Sequence, residues 1–127
     1  MKGIASYEIR TIDDFGRLLI PDNMRHAFDV QLGDEVIIGL DRIGRKLYLN
    51  KTVTNSMVAS SIIDDHGRIE ISPGLQREVR WRKGEKIAIV NLSDDQLILK
   101  SEEKFYKDLP KLYHSILFPQ DESNPLL

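Results

Sequence analysis

The string TIDDFGRLLIP, Thr11 to Pro21, returns 51 positions later as IIDDHGRIEIS, Ile62 to Ser72. Extended without a gap from Thr11–Leu40 onto Ile62–Asn91, the match keeps eight identities in thirty positions, among them Asp13 with Asp64, Gly16 with Gly67, Arg17 with Arg68 and Gly33 with Gly84. Self-similarity at one fixed offset is the signature of a structural repeat. With one residue of slippage Leu47-Tyr48-Leu49 falls on Leu97-Ile98-Leu99, and the two copies end near Lys51 and Lys100.

Both copies carry the same local signals. Tyr7–Ile12 alternates and is rich in β-formers, Asp13–Gly16 has turn chemistry, and Arg17–Pro21 is a second short strand, so the three are expected to form a hairpin. In DNMRHAF, Met24, Ala27 and Phe28 fall at helical spacing, and Asp22 is placed to cap a helix of about two turns or to favour its positive end. Gly33 interrupts the chain, and strands Val36–Leu40 and Lys46–Lys51 flank a turn at Gly44. The second copy repeats the series as strands Val58–Ile63 and Arg68–Ile71, a helix from Pro73 to about Val79, and strands Lys86–Asn91 and Gln96–Lys100. The unit is β-β-α-β-β.

A unit of about 45 residues lies near the size below which one core seldom suffices without a metal, a disulfide or a partner. The copies, 1–53 and 54–100, are therefore expected to bury their apolar faces against each other as one pseudo-dimeric domain, joined by the polar connector Thr52–Ser56. Residues 101–127 read as a helical tail. Ser101 offers an N-cap, and Phe105, Leu109, Leu112, Tyr113, Ile116 and Leu117 form a stripe. Pro110 is expected to kink or divide that helix, and the chain is expected to fray from Pro119.

The 127 residues include 18 Lys plus Arg against 20 Asp plus Glu, a net charge of −2, no cysteine and 41% hydrophobic residues. That balance argues against a histone-like or polybasic membrane-surface protein. The lack of cysteine excludes disulfides, thiolate metal sites and a thiol nucleophile, and it suits a reducing cytosol. No apolar run approaches the roughly 18 residues of a membrane span, and the opening MKGIASYEIRT has no signal-peptide core, so a cytoplasmic protein is expected. By segment, 1–53 holds 8 basic and 8 acidic residues, 54–100 holds 7 and 7, and 101–127 holds 3 and 5. Anion binding by the neutral repeats thus requires their cations to be segregated on one face.

The repeated D-D-x-G-R carries the chemistry. Asp13 and Asp64 can accept backbone N–H bonds across the turn, Gly16 and Gly67 permit positive φ, and Arg17 and Arg68 emerge on the second strand with forks suited to phosphate or guanine. Asp and Arg could equally serve only to clasp the turn. Around the first turn stand Arg10, Arg25 and His26. The second copy has Arg68, Arg77, Arg80, Arg82 and Lys83, but Ser61 replaces Arg10 and Gln76 replaces Arg25. Trp81 is either a stacking platform for a base or, in keeping with its usual burial, a plug between elements. Enzyme chemistry is not expected. His26, His66 and His114 lack metal-ligand spacing, and no nucleophile elbow, Walker loop or dinucleotide fingerprint occurs, so neither metal nor cofactor is expected.

TIDDFGRLLIPDNMRHAF followed by VQLGDEVII resembles the swapped-hairpin DNA-binding domain of the AbrB family of bacterial transition-state regulators (the SpoVT-AbrB domain). The two-copy layout with D-x-x-x-R, and ISPGL in the second copy, also resembles the MraZ family of division-cluster repressors. Covering about residues 5–100, the resemblance implies a mainly β fold with short helices: a double-psi-like swapped-hairpin barrel of two β-β-α-β-β repeats plus the C-terminal helix. It implies sequence-dependent binding of double-stranded DNA, homo-oligomers and a nucleoid location, with DNA-facing residues at Arg10, Arg17, Arg25, His26, Arg68 and Arg77. The connector is shorter than is usual in the MraZ family, and Ser61 and Gln76 weaken the second copy as a reader. The rival reading is a MazE-like antitoxin whose C-terminal segment holds a protein partner. A third is an interaction scaffold that does not bind DNA.

Overall fold

A computed structural model of the chain describes residues 6–91, 93 and 95–117, the last seven as backbone only. In the first repeat β1 (Ser6–Thr11), β2 (Arg17–Leu19), α1 (Asp22–Phe28), β3 (Glu35–Asp41) and β4 (Lys46–Asn50) follow one another. The second has β5 (Met57–Ile62), β6 (Arg68–Glu70), α2 (Pro73–Glu78), β7 (Lys86–Asn91) and β8 (Gln96–Ser101), and α3 (Glu102–Leu117) completes the order. The molecule is mainly β with short helices, and each repeat has the expected β-β-α-β-β order.

One pairing departs from expectation. β1 and β2 do not form a hairpin ladder: β1 pairs antiparallel with β7, β5 with β3, and β2 with β6. The six-stranded antiparallel sheet runs β1-β7-β8-β4-β3-β5, so each repeat lends its first strand to the other, and β2-β6 form a separate two-stranded ribbon. The turn signals are obeyed nonetheless. The Asp13 carboxylate accepts the N–H groups of Phe15 and Arg17 at 2.9 and 2.8 Å, and the Gly16 N–H bonds the Asp13 carbonyl at 3.0 Å. This bends the chain away from the sheet, while the edge of β1 is taken by β7. Local chemistry makes the turn, and tertiary packing chooses the partner.

Strand alternation builds two apolar layers. Val36, Ile38, Leu47, Leu49, Ile87, Ile89, Leu97 and Leu99 face one core together with Leu18 and Ile69 of the ribbon, Met24 and Phe28 of α1, and Val79 and Trp81. Ala88 and Val90 face the other side of the sheet, where Phe105 of α3 covers them with Ile9, Ile98 and Leu109. The ribbon and α3 therefore lie on opposite faces of the sheet.

Two local expectations are corrected. Asp22 does not cap α1, whose N-cap is Pro21 without a side-chain cap; it stands instead in the first turn, at the positive end of the helix, and pairs with Arg25 at 3.0 Å. The β3–β4 turn includes Gly44 as expected, and its left-handed residue is Arg45 at φ 53°. Pro110 does not divide α3, which runs to Leu117 as one helix. Proline removes one intrahelical bond, to the carbonyl of Tyr106, and both residues are exposed. Ser101 does cap α3, accepting the Lys104 N–H at 3.1 Å. The side chains of Leu112, Tyr113, His114, Ile116 and Leu117, and the segment from Pro119, lie outside the described residues. No helix among the described residues is long and apolar enough to cross a membrane.

Candidate nucleic-acid interface

The ribbon pairs Arg17 with Glu70, Leu18 with Ile69 and Leu19 with Arg68. Leu18 and Ile69 are buried, so the period of two turns Arg17, Leu19, Arg68 and Glu70 outward together. Arg17 and Arg68 stand diagonally across the ribbon, a spacing of about 7–8 Å between such positions.

Each arginine is aimed by the aspartate four residues before it. Arg17 Nε meets the Asp13 carboxylate at 2.7 Å, and Arg68 Nε meets that of Asp64 at 2.9 Å. Both arginine side chains are about a third exposed, and apart from a 3.4 Å contact of Arg68 Nη2 with His66 Nδ1 their terminal nitrogens meet no hydrogen-bond or ion-pair partner among the described residues. Partial desolvation pushes the Asp13 carboxyl up, but the Arg17 N–H, the Arg17 guanidinium and the Phe15 N–H outweigh it and hold Asp13 below the carboxylate range. The Arg68 N–H, aided by the His66 N–H and the Arg68 side chain, brings Asp64 down to about 2. Both carboxylates stay charged at neutral pH and fix the rotamers of their arginines. Phe15, at the exposed tip, lies under Arg17 at 5.0 Å from guanidinium carbon to ring centroid.

Gly16 and Gly67 hold φ of 77° and 82°, and both are in close cross-repeat contact. A Cβ on Gly16 would meet the Ile71 carbonyl oxygen at 2.7 Å and the Gln76 amide at 3.0 Å, and one on Gly67 would strike the Arg25 guanidinium. Arg25 donates to the Ile20 carbonyl, just as Gln76 donates to that of Ile71 at 2.8 Å. Arg25, with its side chain 15% exposed, is thus spent on the fold, and Gln76 does the same work in the twin position.

The other expected positions are divided. Arg10 pairs with Glu8 at 3.1 Å and donates to its neighbour's carbonyl. His26 and Arg77 occupy equivalent exposed positions on α1 and α2. Arg77 lines a cleft with Asp13, Phe15 and Trp81 at the first turn. Trp81 is 6% exposed in the core, which makes it the plug of the two readings. A cleft of about 480 Å³ opens beside the ribbon between Arg17, Arg68, Ser60 and Ser61. Ser61 stands where the first repeat has Arg10, and the Ser61 hydroxyl accepts the Glu70 N–H at 2.9 Å.

The cations divide between two surfaces, so the expected segregation on one face is not met and any anion site draws on a local group. Arg17 and Arg68 belong to the ribbon, whereas Arg45, Arg80, Arg82, Lys104 and Lys107 line a second cleft with Glu85 and Glu103. Reading the sequence singled out Arg80 and Arg82 but missed Arg45. Its only signal was the turn DRIGR, which does not say what the turn packs against.

No family model matches this chain, and no curated protein matches it. Among solved structures, the solution structure of PHS018 from Pyrococcus horikoshii is similar over 77% of this chain and 91% of that chain, at 17% sequence identity and a TM-score of 0.45.

Proposed function

We propose that the chain is a sequence-dependent DNA-binding transcriptional regulator of the AbrB and MraZ type. It acts by promoter occupancy and is not an enzyme. In this reading the exchanged strands and central ribbon form the swapped-hairpin, double-psi-like barrel of two repeats. The observation that carries the proposal is the outward-facing Arg17 and Arg68 pair on a two-stranded ribbon, each guanidinium aimed by its aspartate. A two-stranded ribbon fits a major groove about 12 Å wide, and a pre-aimed arginine fork suits guanine edges or phosphates. Double-stranded DNA is the partner, with His26 and Arg77 flanking the ribbon and Arg10 at its margin. Arg25 contributes by supporting the turn around Gly67. Homo-oligomers on the nucleoid follow from the same reading.

The antitoxin alternative has less support. The first two turns of α3 already spend Phe105 and Leu109 on the chain's own sheet, which leaves less of the tail for a protein partner.

Selection of bound genomic fragments by the purified protein supplies a duplex for fluorescence anisotropy. Affinity should fall steeply with salt, and Arg17→Ala and Arg68→Ala should each lose about 1–3 kcal/mol. Unchanged affinity in both variants, with the fold intact by circular dichroism, overturns the assignment.

A further inference from the structure

The loops that follow α1 and α2 are built alike and charged oppositely. Asp29 and Arg80 occupy the same left-handed position, at φ 58° and 61°. The Gln31 N–H bonds the Asp34 carboxylate at 2.8 Å, and the Arg82 N–H bonds that of Glu85 at 3.1 Å. The first loop closes with Asp29 and Gln31, so the fold does not require arginine at either equivalent position.

The surroundings differ too. Lys51 faces Asp29 at 4.0 Å, and in the second repeat the matching residue opposite Arg80 is Ser101, a neutral hydroxyl. The β3–β4 turn brings Arg45 to the same cleft, and α3 brings Lys104 and Lys107. Lys104 is paired with Asp108 and Lys107 with Glu103, at 2.9 and 3.0 Å. Glu85 is engaged by the Arg82 backbone. Arg45, Arg80 and Arg82 are left, and among the described residues no carboxylate forms an ion pair with any of the three. The excess is felt across the cleft: the Glu103 carboxyl is held below its ordinary range by Lys107 first, and by the fields of Arg82 and Arg45 as well.

We infer that this cleft, of about 350 Å³ between the α2–β7 loop, the β3–β4 turn and α3, binds a small oligophosphate, such as the pyrophosphate moiety of a nucleotide. Three guanidinium forks lining one concavity match adjacent phosphates, whose negative charge would balance the cations that the second loop leaves unpaired. The volume is that of a small-ligand pocket. One wall is α3, which covers the sheet face opposite the ribbon, so a ligand here occupies a surface separate from the Arg17 and Arg68 pair. The site stands whether or not the ribbon binds DNA.

Titration of the full chain with inorganic pyrophosphate, followed by calorimetry and by amide NMR, tests this. One-to-one saturable binding is expected, with shifts confined to Arg45, Arg80–Glu85 and Ser101–Lys104. The double variant Arg80→Asp, Arg82→Gln copies the first repeat's loop and should fold as that loop does, while weakening pyrophosphate at least tenfold. Arg45→Gly suits its positive φ and serves as an independent variant, expected to weaken binding severalfold. Arg17→Ala should leave pyrophosphate affinity unchanged. Full affinity in the double variant and in Arg45→Gly overturns the inference, as do shifts spread over the ribbon. Displacement of pyrophosphate by a short DNA duplex that shifts the same amides also overturns it, and would make the cleft part of a nucleic-acid surface.

Discussion

At the scale of single residues, the repeat supplies its own control experiment. Arg25 and Gln76 do the same work on the carbonyls of Ile20 and Ile71, and each covers a glycine of the other repeat. Arg25→Gln should therefore change unfolding free energy by no more than about 0.5 kcal/mol in a urea titration. Its DNA affinity should stay within about threefold of the parent, because this guanidinium is spent inside the fold, whereas a direct base contact would cost tenfold or more. Asp64 answers to pH. Its carboxyl falls from the usual 3.8 to about 2 on folding. That stabilisation is complete above pH 3.8 and is lost as pH falls through about 2. Asp64→Asn should flatten the acid limb of a stability profile over that window, and an unaltered limb would show that the carboxylate does not carry it. The D-D-x-G-R chemistry was legible in sequence because an Asx turn needs only neighbours. The duty of Arg25 was not legible, since the carbonyl and glycine it serves become its neighbours only when the chain folds back.

Among the elements, α3 shows what a short amphipathic stripe can do. Phe105 is fully buried against Tyr7 at 4.7 Å between ring centroids and against the outer layer of Ala88 and Val90. Beneath the helix, Lys100 is 6% exposed and its ammonium meets Asp108 at 2.9 Å. Burial pushes the Lys100 pKa down and Asp108 opposes it. Asp108→Ala leaves a cation on the sheet without its carboxylate, so it should destabilise the protein by about 2–4 kcal/mol at pH 7 in chemical denaturation. Lys100→Met with Asp108→Ala should recover most of that loss. The N-cap at Ser101 and the stripe were readable from spacing. The continuation through Pro110 was not, because local rules for proline say nothing of a helix held down along its preceding turns.

For the whole molecule, the decisive fact is the exchange of strands. Neither repeat owns a complete sheet: β1 is held by β7, β5 by β3, and β2 by β6. Separate polypeptides of residues 1–53 and 54–100 should each show little β signal by circular dichroism and regain it when mixed in equal amounts. Ordered β structure in either fragment alone would refute this mutual dependence. The existence of the eight strands and two short helices of the repeats, and their order, came from the sequence, because alternation, turn chemistry and helical spacing act over a few neighbouring positions. So did the equivalence of the two repeats, and with it the pairing of Asp13 with Arg17 and of Asp64 with Arg68. Only the tertiary structure decided that β2 joins β6, which sets Arg17 and Arg68 on one ribbon face. It also decided that Arg45 meets Arg80 and Arg82 across a cleft. These outcomes depend on which edges lie open and which apolar faces meet once the chain is compact, and a repeated sequence permits pairing within a copy or between copies. Burial of both copies around a single core selects the second.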